Sequence, residues 1–152
     1  MKILVTGGAG FIGSAVVRYL IERLDVEVIC VDSLSYSSNT DSLKSVFKNN
    51  LFSFEKEDIS SPSGIARILK TYRPDKILHL AAETHVDRSI DNPDAFIQTN
   101  IIGTFNLLNV SLEYWKGLNP SKKAKFKFHH VSTDEVFGEL DKKQKPFNES
   151  SP

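Results

Sequence analysis

Short, β-branched apolar runs alternate along the chain with longer stretches whose apolar positions recur every three or four residues. Residues 2–7 (KILVTG), 26–32 (VEVICVD), 51–58 (LFSFEKED), 76–82 (KILHLAA) and 125–133 (KFKFHHVST) predict strands. The first, second and fourth are too uniformly apolar for a sheet open to water on one face. Residues 11–24, 39–49, 62–72 and 93–116 carry the helical period. Strict strand–helix alternation predicts right-handed βαβ units, hence an α/β fold with a doubly wound parallel sheet. The helix over 93–116 has two apolar stripes where a surface helix needs one. Ile97, Ile101, Phe105, Leu108, Leu112 and Trp115 share one side; Phe96, Gly103, Leu107 and Tyr114 share another. One stripe suits the sheet, and the other suits a neighbouring helix, from the same chain or from a partner subunit, for which this segment offers no candidate.

Composition narrows the partners. Nineteen Lys plus Arg balance nineteen Asp plus Glu, so no long-range positive field favours nucleic acid or an anionic membrane. No apolar run approaches the roughly 18 residues of a membrane span, and MKILVTGG is too short an apolar core for a signal peptide, which points to the cytoplasm. The single cysteine, Cys30, lies in an apolar run and reads as a buried, inert thiol. No metal-ligand spacing stands out.

The candidate chemistry begins at TGGAGFIG, which places glycine at 7, 8, 10 and 13 between the first strand and the first helix. A tight turn, a pyrophosphate lying against the backbone and a helix packed closely on a strand all require glycine, and the free N–H groups of the helix start then face the anion. Asp32 ends the second strand nineteen residues after Gly13. A carboxylate there accepts the adenosine-ribose hydroxyls and repels a 2′-phosphate, so NAD is favoured over NADP; Asp at a strand end is also a common turn residue. Asp58 and Ile59 end the third strand, where they suit the adenine amino group and ring face, although Asp58 equally suits a turn before SSPS. Ala81 and Ala82 at the end of the fourth strand allow a cofactor close to the backbone. His79, inside that strand, reads as a packed core imidazole. These features predict a Rossmann-type NAD-binding domain over residues 1–136, with 137–152 a polar, proline-bounded loop.

Together with HLAA at 79–82, Thr99-Asn100-x-x-Gly103-Thr104 and Ser132-Thr133, the glycine turn resembles the extended short-chain dehydrogenase/reductase superfamily. Within it, ETHVDRSI and HHVSTDEVFGEL look like the dTDP-glucose 4,6-dehydratase family of deoxysugar and rhamnose precursor synthesis; the adjacent acids Asp134 and Glu135 distinguish it from sugar-nucleotide epimerases and GDP-mannose dehydratases. The resemblance implies a nucleotide-sugar substrate, a lyase reaction and a homodimer for the full-length protein. By the same resemblance, NAD removes hydride from C4 of the hexose, water leaves across C5 and C6, and hydride returns to C6. Glu135 is then the base for the C5 proton, Asp134 the acid for the C6 hydroxyl and Thr133 the partner of the C4 oxygen. Asp134 must be held protonated, which burial beside a second carboxylate would achieve. Thr84, His85, Asp87 and Arg88, on the loop after the fourth strand, join Thr133 on the substrate side; Arg88 also suits an ordinary salt bridge. The cofactor set comprises Gly7, Gly10, Phe11, Ile12, Gly13, Asp32, Asp58, Ile59, Leu80, Ala81, Ala82 and Thr99. Thr133-Asp134-Glu135 equally fits a helix N-cap with an acidic first turn.

The superfamily also uses a Tyr-x-x-x-Lys pair on one helix face. The single match here, Tyr72 to Lys76, is excluded by Pro74, which disfavours helix at Arg73. The 152 residues are therefore expected to be the amino-terminal part of a dehydratase, truncated after about the fifth strand and inactive alone, with the catalytic helix and substrate domain missing. UDP-glucose as substrate, or a non-catalytic dinucleotide-binding module, remain alternatives at this level.

Overall fold

A computed structural model of the chain describes residues 1–140 and 145–151. Five parallel strands, β1 (Lys2–Thr6), β2 (Glu27–Asp32), β3 (Phe52–Lys56), β4 (Lys76–His79) and β5 (Lys127–His130), form one sheet in the order β3-β2-β1-β4-β5. The expected doubly wound parallel sheet is present. Successive side chains of a strand face opposite ways, and in β1 and β2 both faces are covered. Ile3, Val5, Val28 and Cys30 pack with Val17 and Ile21 of α1 (Phe11–Leu24). Leu4, Ile29 and Val31 pack with Ile65, Ile68 and Leu69 of α2 (Pro62–Tyr72) and with Leu107. This two-sided burial is why those strands read as unbroken apolar runs. From β1 the chain winds outward through β2 to β3, then crosses back to β4 on the far side of β1. The switch between β1 and β4 opens a crevice at the carboxyl ends of the strands.

Helices α1 and α2 occupy the residues their periodicity predicts. Ser61 caps α2, its side chain accepting from the Gly64 N–H at 3.3 Å, and Pro62 pre-sets the first turn. Arg73 in the left-handed region (φ 51°) ends it. Tyr72 is thus the last residue of α2 and Lys76 the first of β4; the Tyr72 hydroxyl donates to Glu55 at 2.8 Å. The spacing-only match to Tyr-x-x-x-Lys is divided between two elements.

Elsewhere the boundaries differ from the pattern. The helix expected over 39–49 is a single 3-10 turn, Thr40–Leu43, followed by turns. Asn39 accepts from the Asp41 N–H at 3.0 Å, the local side-chain bonding that competes with helix. The segment after β4, expected as loop, contains α3 (Val86–Asp91), and α6 (Pro120–Lys125) precedes β5. The predicted helix 93–116 is a continuous helical rod of three parts: α4 (Pro93–Phe96), a π-helical stretch Ile97–Gly103 and α5 (Thr104–Lys116). The polar tail keeps no helix or strand among its described residues beyond the 3-10 turn Asp134–Phe137, and residues 141–144 and 152 of it lie outside the described ones.

Candidate functional site

The turn after β1 explains its glycines one by one. Gly7 has φ 68°, and a Cβ there would come within 2.7 Å of the Ala81 backbone nitrogen, so the turn and the end of β4 touch only because the side chain is absent. A Cβ on Gly13 would overlap the Gly7 carbonyl, so this glycine sets the approach of α1 to the strand. Gly10 is the N-cap of α1 and no side chain caps it, leaving first-turn N–H groups facing the crevice. Phe11 and Ile12 stand on the first turn of α1 with exposed side chains, and neither lines the cleft.

The cleft is lined by Gly7, Gly10, Asp32, Asp58, Ile59, Leu80, Ala81, Ala82 and Thr99 of the expected set. Ser33, Ser35, Ser37, Ser38, Glu57 and Glu83 also line it and were not anticipated. Asp32 is buried, and its carboxylate accepts from the Ala9 N–H (2.9 Å), the Leu34 N–H (2.9 Å) and the Ser38 hydroxyl (2.6 Å). A carboxylate has about four acceptor sites, so three are filled and one is left facing the cleft. The serine-rich run SLSYSSN directly after the strand-end Asp was the sequence signal for this ring of hydroxyls. Asp58 also does the turn work weighed against its cofactor role, its Oδ1 accepting from the Ser60 N–H at 2.8 Å. Ile59 is 4% exposed, its side chain spent against Gly103.

The Thr99-Asn100-x-x-Gly103-Thr104 motif acquires a physical account. Asn100, on the π-helical stretch, grips Glu83 twice, accepting from its N–H and donating to its carbonyl, both at 2.9 Å. Gly103 admits Ile59, and Thr104 bonds the Nε2 of His79 at 3.0 Å while Thr6 bonds its Nδ1 at 2.7 Å. His79 is fully buried, as expected of a core imidazole, and burial together with the stacked His130 ring depresses its pKa to about 4. Cys30 is likewise buried and free, its thiol pushed up to about 12 by burial and then by the charge of Asp32.

Beyond β5, two strand positions from β1 on the same edge of the sheet, Thr133 starts the 3-10 turn and accepts from the Glu135 N–H at 3.4 Å. Its hydroxyl also lies 3.4 Å from carboxylate oxygens of both Asp134 and Glu135. Capping and the convergence of three polar groups are therefore properties of one turn. Both acids are exposed, so the burial expected to hold Asp134 protonated is not provided by the residues described. Thr84 and His85 precede α3, while Asp87 and Arg88 stand on that helix rather than on the expected loop; all four are exposed. No group of three or more His, Cys, Asp or Glu with metal-holding geometry occurs among the described residues.

Comparison with known proteins adds the family. The model described as GDP-mannose 4,6 dehydratase matches residues 4–152. The dTDP-glucose 4,6-dehydratase of Salmonella typhimurium is 54% identical over 140 residues, 92% of this chain and 39% of that protein. That of Haemophilus influenzae is 50% identical over the whole chain and 45% of its own length. The crystal structure of DesIV, the dTDP-glucose 4,6-dehydratase of Streptomyces venezuelae with NAD and TYD bound, superimposes with a TM-score of 0.83 at 41% identity, covering 100% of this chain and 45% of that one. The chain thus spans less than half the length of these relatives. A match over nearly every residue, on a fold of the same kind, places the chain in the GDP-mannose 4,6 dehydratase family, with dTDP-glucose 4,6-dehydratases among its near relatives.

Proposed function

We propose that these residues are the NAD-holding part of a cytoplasmic dTDP-glucose 4,6-dehydratase, homodimeric at full length. The observation that carries the reading is the pairing, on one edge of one sheet, of a glycine turn whose cradle a single Cβ would fill with a Thr-Asp-Glu turn two strands away.

The residues present fit a dinucleotide. The Gly7 and Gly13 contacts leave backbone, not side chain, facing a pyrophosphate, and the uncapped start of α1 offers it N–H groups. Asp32 takes the adenosine ribose, and its charge disfavours a 2′-phosphate. Asp58 and the backbone of Ile59, whose side chain is packed against Gly103, flank the adenine; Leu80, Ala81, Ala82 and Thr99 line the rest of the cleft. When bound, NAD supplies a hydride acceptor at C4 of the sugar and the hydride donor at C6. The chain's own residues would move the protons of the water elimination: Glu135 would remove the proton at C5, Asp134 would protonate the departing C6 hydroxyl, and Thr133 would hydrogen-bond the C4 oxygen, whose own proton goes to the Tyr of the superfamily's Tyr-x-x-x-Lys pair. Thr84, His85, Asp87 and Arg88 belong to the sugar-nucleotide side. Both acids are exposed in these residues and so stand open to a substrate.

Calorimetric titration with NAD⁺ and NADP⁺ tests the reading. NAD⁺ is expected to bind in preference, with Asp32→Asn weakening it roughly tenfold and narrowing the difference between the two cofactors. Equal affinity for both, unchanged by the substitution, would refute the ribose contact. The 152 residues alone are expected to leave dTDP-glucose unconverted, since their single Tyr-x-x-x-Lys spacing is split between α2 and β4. A 4-keto-6-deoxy product formed by this chain would overturn that.

A further inference from the structure

The segment between β2 and the 3-10 turn is folded as a strap over the cleft. Asp32 holds it near both ends, through the Leu34 N–H and the Ser38 hydroxyl, and the Asn39 N–H donates to the Ala9 carbonyl at 2.8 Å. Leu34 sits at φ 59°, a conformation that costs a non-glycine residue energy and is sustained here by the bond to Asp32. At the apex, Tyr36 reaches across to the chain after β4. Its hydroxyl donates to Glu83 Oε2 at 3.0 Å and lies 3.3 Å from His85 Nδ1, from which it accepts when that nitrogen carries the proton. Its ring meets the His85 imidazole edge-on, with centroids 5.6 Å apart, and the Arg88 guanidinium carbon lies 3.6 Å from the ring centroid. Glu83 is itself fixed by Asn100.

We propose that Tyr36 is a positioning residue that couples the two halves of the site, so that filling the ribose position at Asp32 sets the placement of residues 84–90 on the sugar-nucleotide side. The inference rests on the functional reading above. Its physical basis is that the strap is anchored by two bonds to one oxygen of Asp32, from the Leu34 N–H and the Ser38 hydroxyl, so a ribose bonding this carboxylate would compete with the strap's own anchor. Admitting the ribose moves Ser38, Ser38 moves the strap, and the strap carries Tyr36 with its bonds to Glu83, His85 and Arg88. Coupling of this kind is reciprocal, so a ligand that orders Arg88 and His85 tightens the hold on NAD in turn.

Amide hydrogen exchange of the 152-residue chain, with and without saturating NAD⁺, tests this in the unmodified protein, Tyr36→Phe and Tyr36→Ala. Without ligand, exchange over 84–90 is expected to rise roughly tenfold in Tyr36→Ala and about threefold in Tyr36→Phe, which keeps the ring under Arg88 but loses the hydroxyl. NAD⁺ is expected to change exchange over both 33–39 and 84–90 in the unmodified chain, but over 33–39 only in Tyr36→Ala. If NAD⁺ binds both proteins and 84–90 responds equally in each, the cofactor reading stands and the coupling falls. If NAD⁺ binds neither, the cofactor reading falls and takes the coupling with it.

Discussion

His79 has no exposed surface, both its ring nitrogens are bonded to threonines, and it stacks on His130 at 4.8 Å between centroids. Burial first, and His130 second, lower its pKa from 6.5 to about 4. The folded protein therefore keeps this ring neutral through a range in which the unfolded chain protonates it. The stability it contributes is intact above pH 6.5 and is lost as pH falls towards 4. Between pH 7 and pH 5 the loss amounts to about 2 kcal/mol, read as a lower urea midpoint at unchanged slope. His79→Gln, less stable at pH 7, is expected to show a flatter profile over that window; an equally steep one would assign the acid sensitivity to other groups. Placement of His79 in the core was legible from its position inside an apolar strand. Its two threonine partners were not, because Thr6 and Thr104 lie 73 and 25 residues away and meet it only in the folded sheet. Asp32 was legible from its place at the end of the second strand, nineteen residues after Gly13, whereas the three donors already on its carboxylate depend on how the glycine turn and the following loop fold against it.

At the scale of the element, α1 and α2 were readable because their apolar positions keep one period and their ends carry punctuation: Gly10 before one, Ser61-Pro62 before the other. Residues 39–49 were misleading. Leu43 and Val46 reach the core, but Asn39, Asp41 and Ser42 favour local turns over a helical ladder. The six residues of α3 were too few to show a period. The helix over 93–116 carries the most consequential feature. Gly103 and Leu107 are buried, while Ile97, Ile101, Phe105, Leu108 and Leu112 of the opposite stripe remain between 46% and 62% exposed. A continuous apolar stripe of that extent is unusual for a surface left to water. The isolated chain is accordingly expected to self-associate, with a sedimentation coefficient that rises with concentration, and Phe105→Lys to move it back towards monomer. A single monomeric boundary at high concentration would mean that the stripe is not adhesive.

Across the whole molecule, the two buried clusters lie on opposite faces of one sheet, so losing α1 bares one face of the shared strands and losing α2 bares the other. Cys30 reports on that unit. It lies on β2 between β1 and β3, has no exposed surface, and its sulfur would be 2.5 Å from a Cβ placed on Gly8. Its thiol, pushed up to about 12, is not available as thiolate near neutral pH while the fold holds. Labelling by a thiol reagent at pH 8 must then proceed through opening of the core, where the unfolded cysteine reacts with an ordinary pKa. For a domain of ordinary stability the open population is on the order of 10⁻⁴ or less, so labelling is expected to be slower than in urea-unfolded chain by at least that factor. Its rate should climb with urea along the slope of global unfolding, because no smaller opening reaches the centre of the sheet. Saturating NAD⁺ at a hundred times its dissociation constant should slow it a further hundredfold, since binding the folded state alone withdraws population from the open one. Fast labelling that ignores both urea and NAD⁺ would mean that the turn at Gly7 and Gly8 opens locally, and that it is less firmly built than its packing implies.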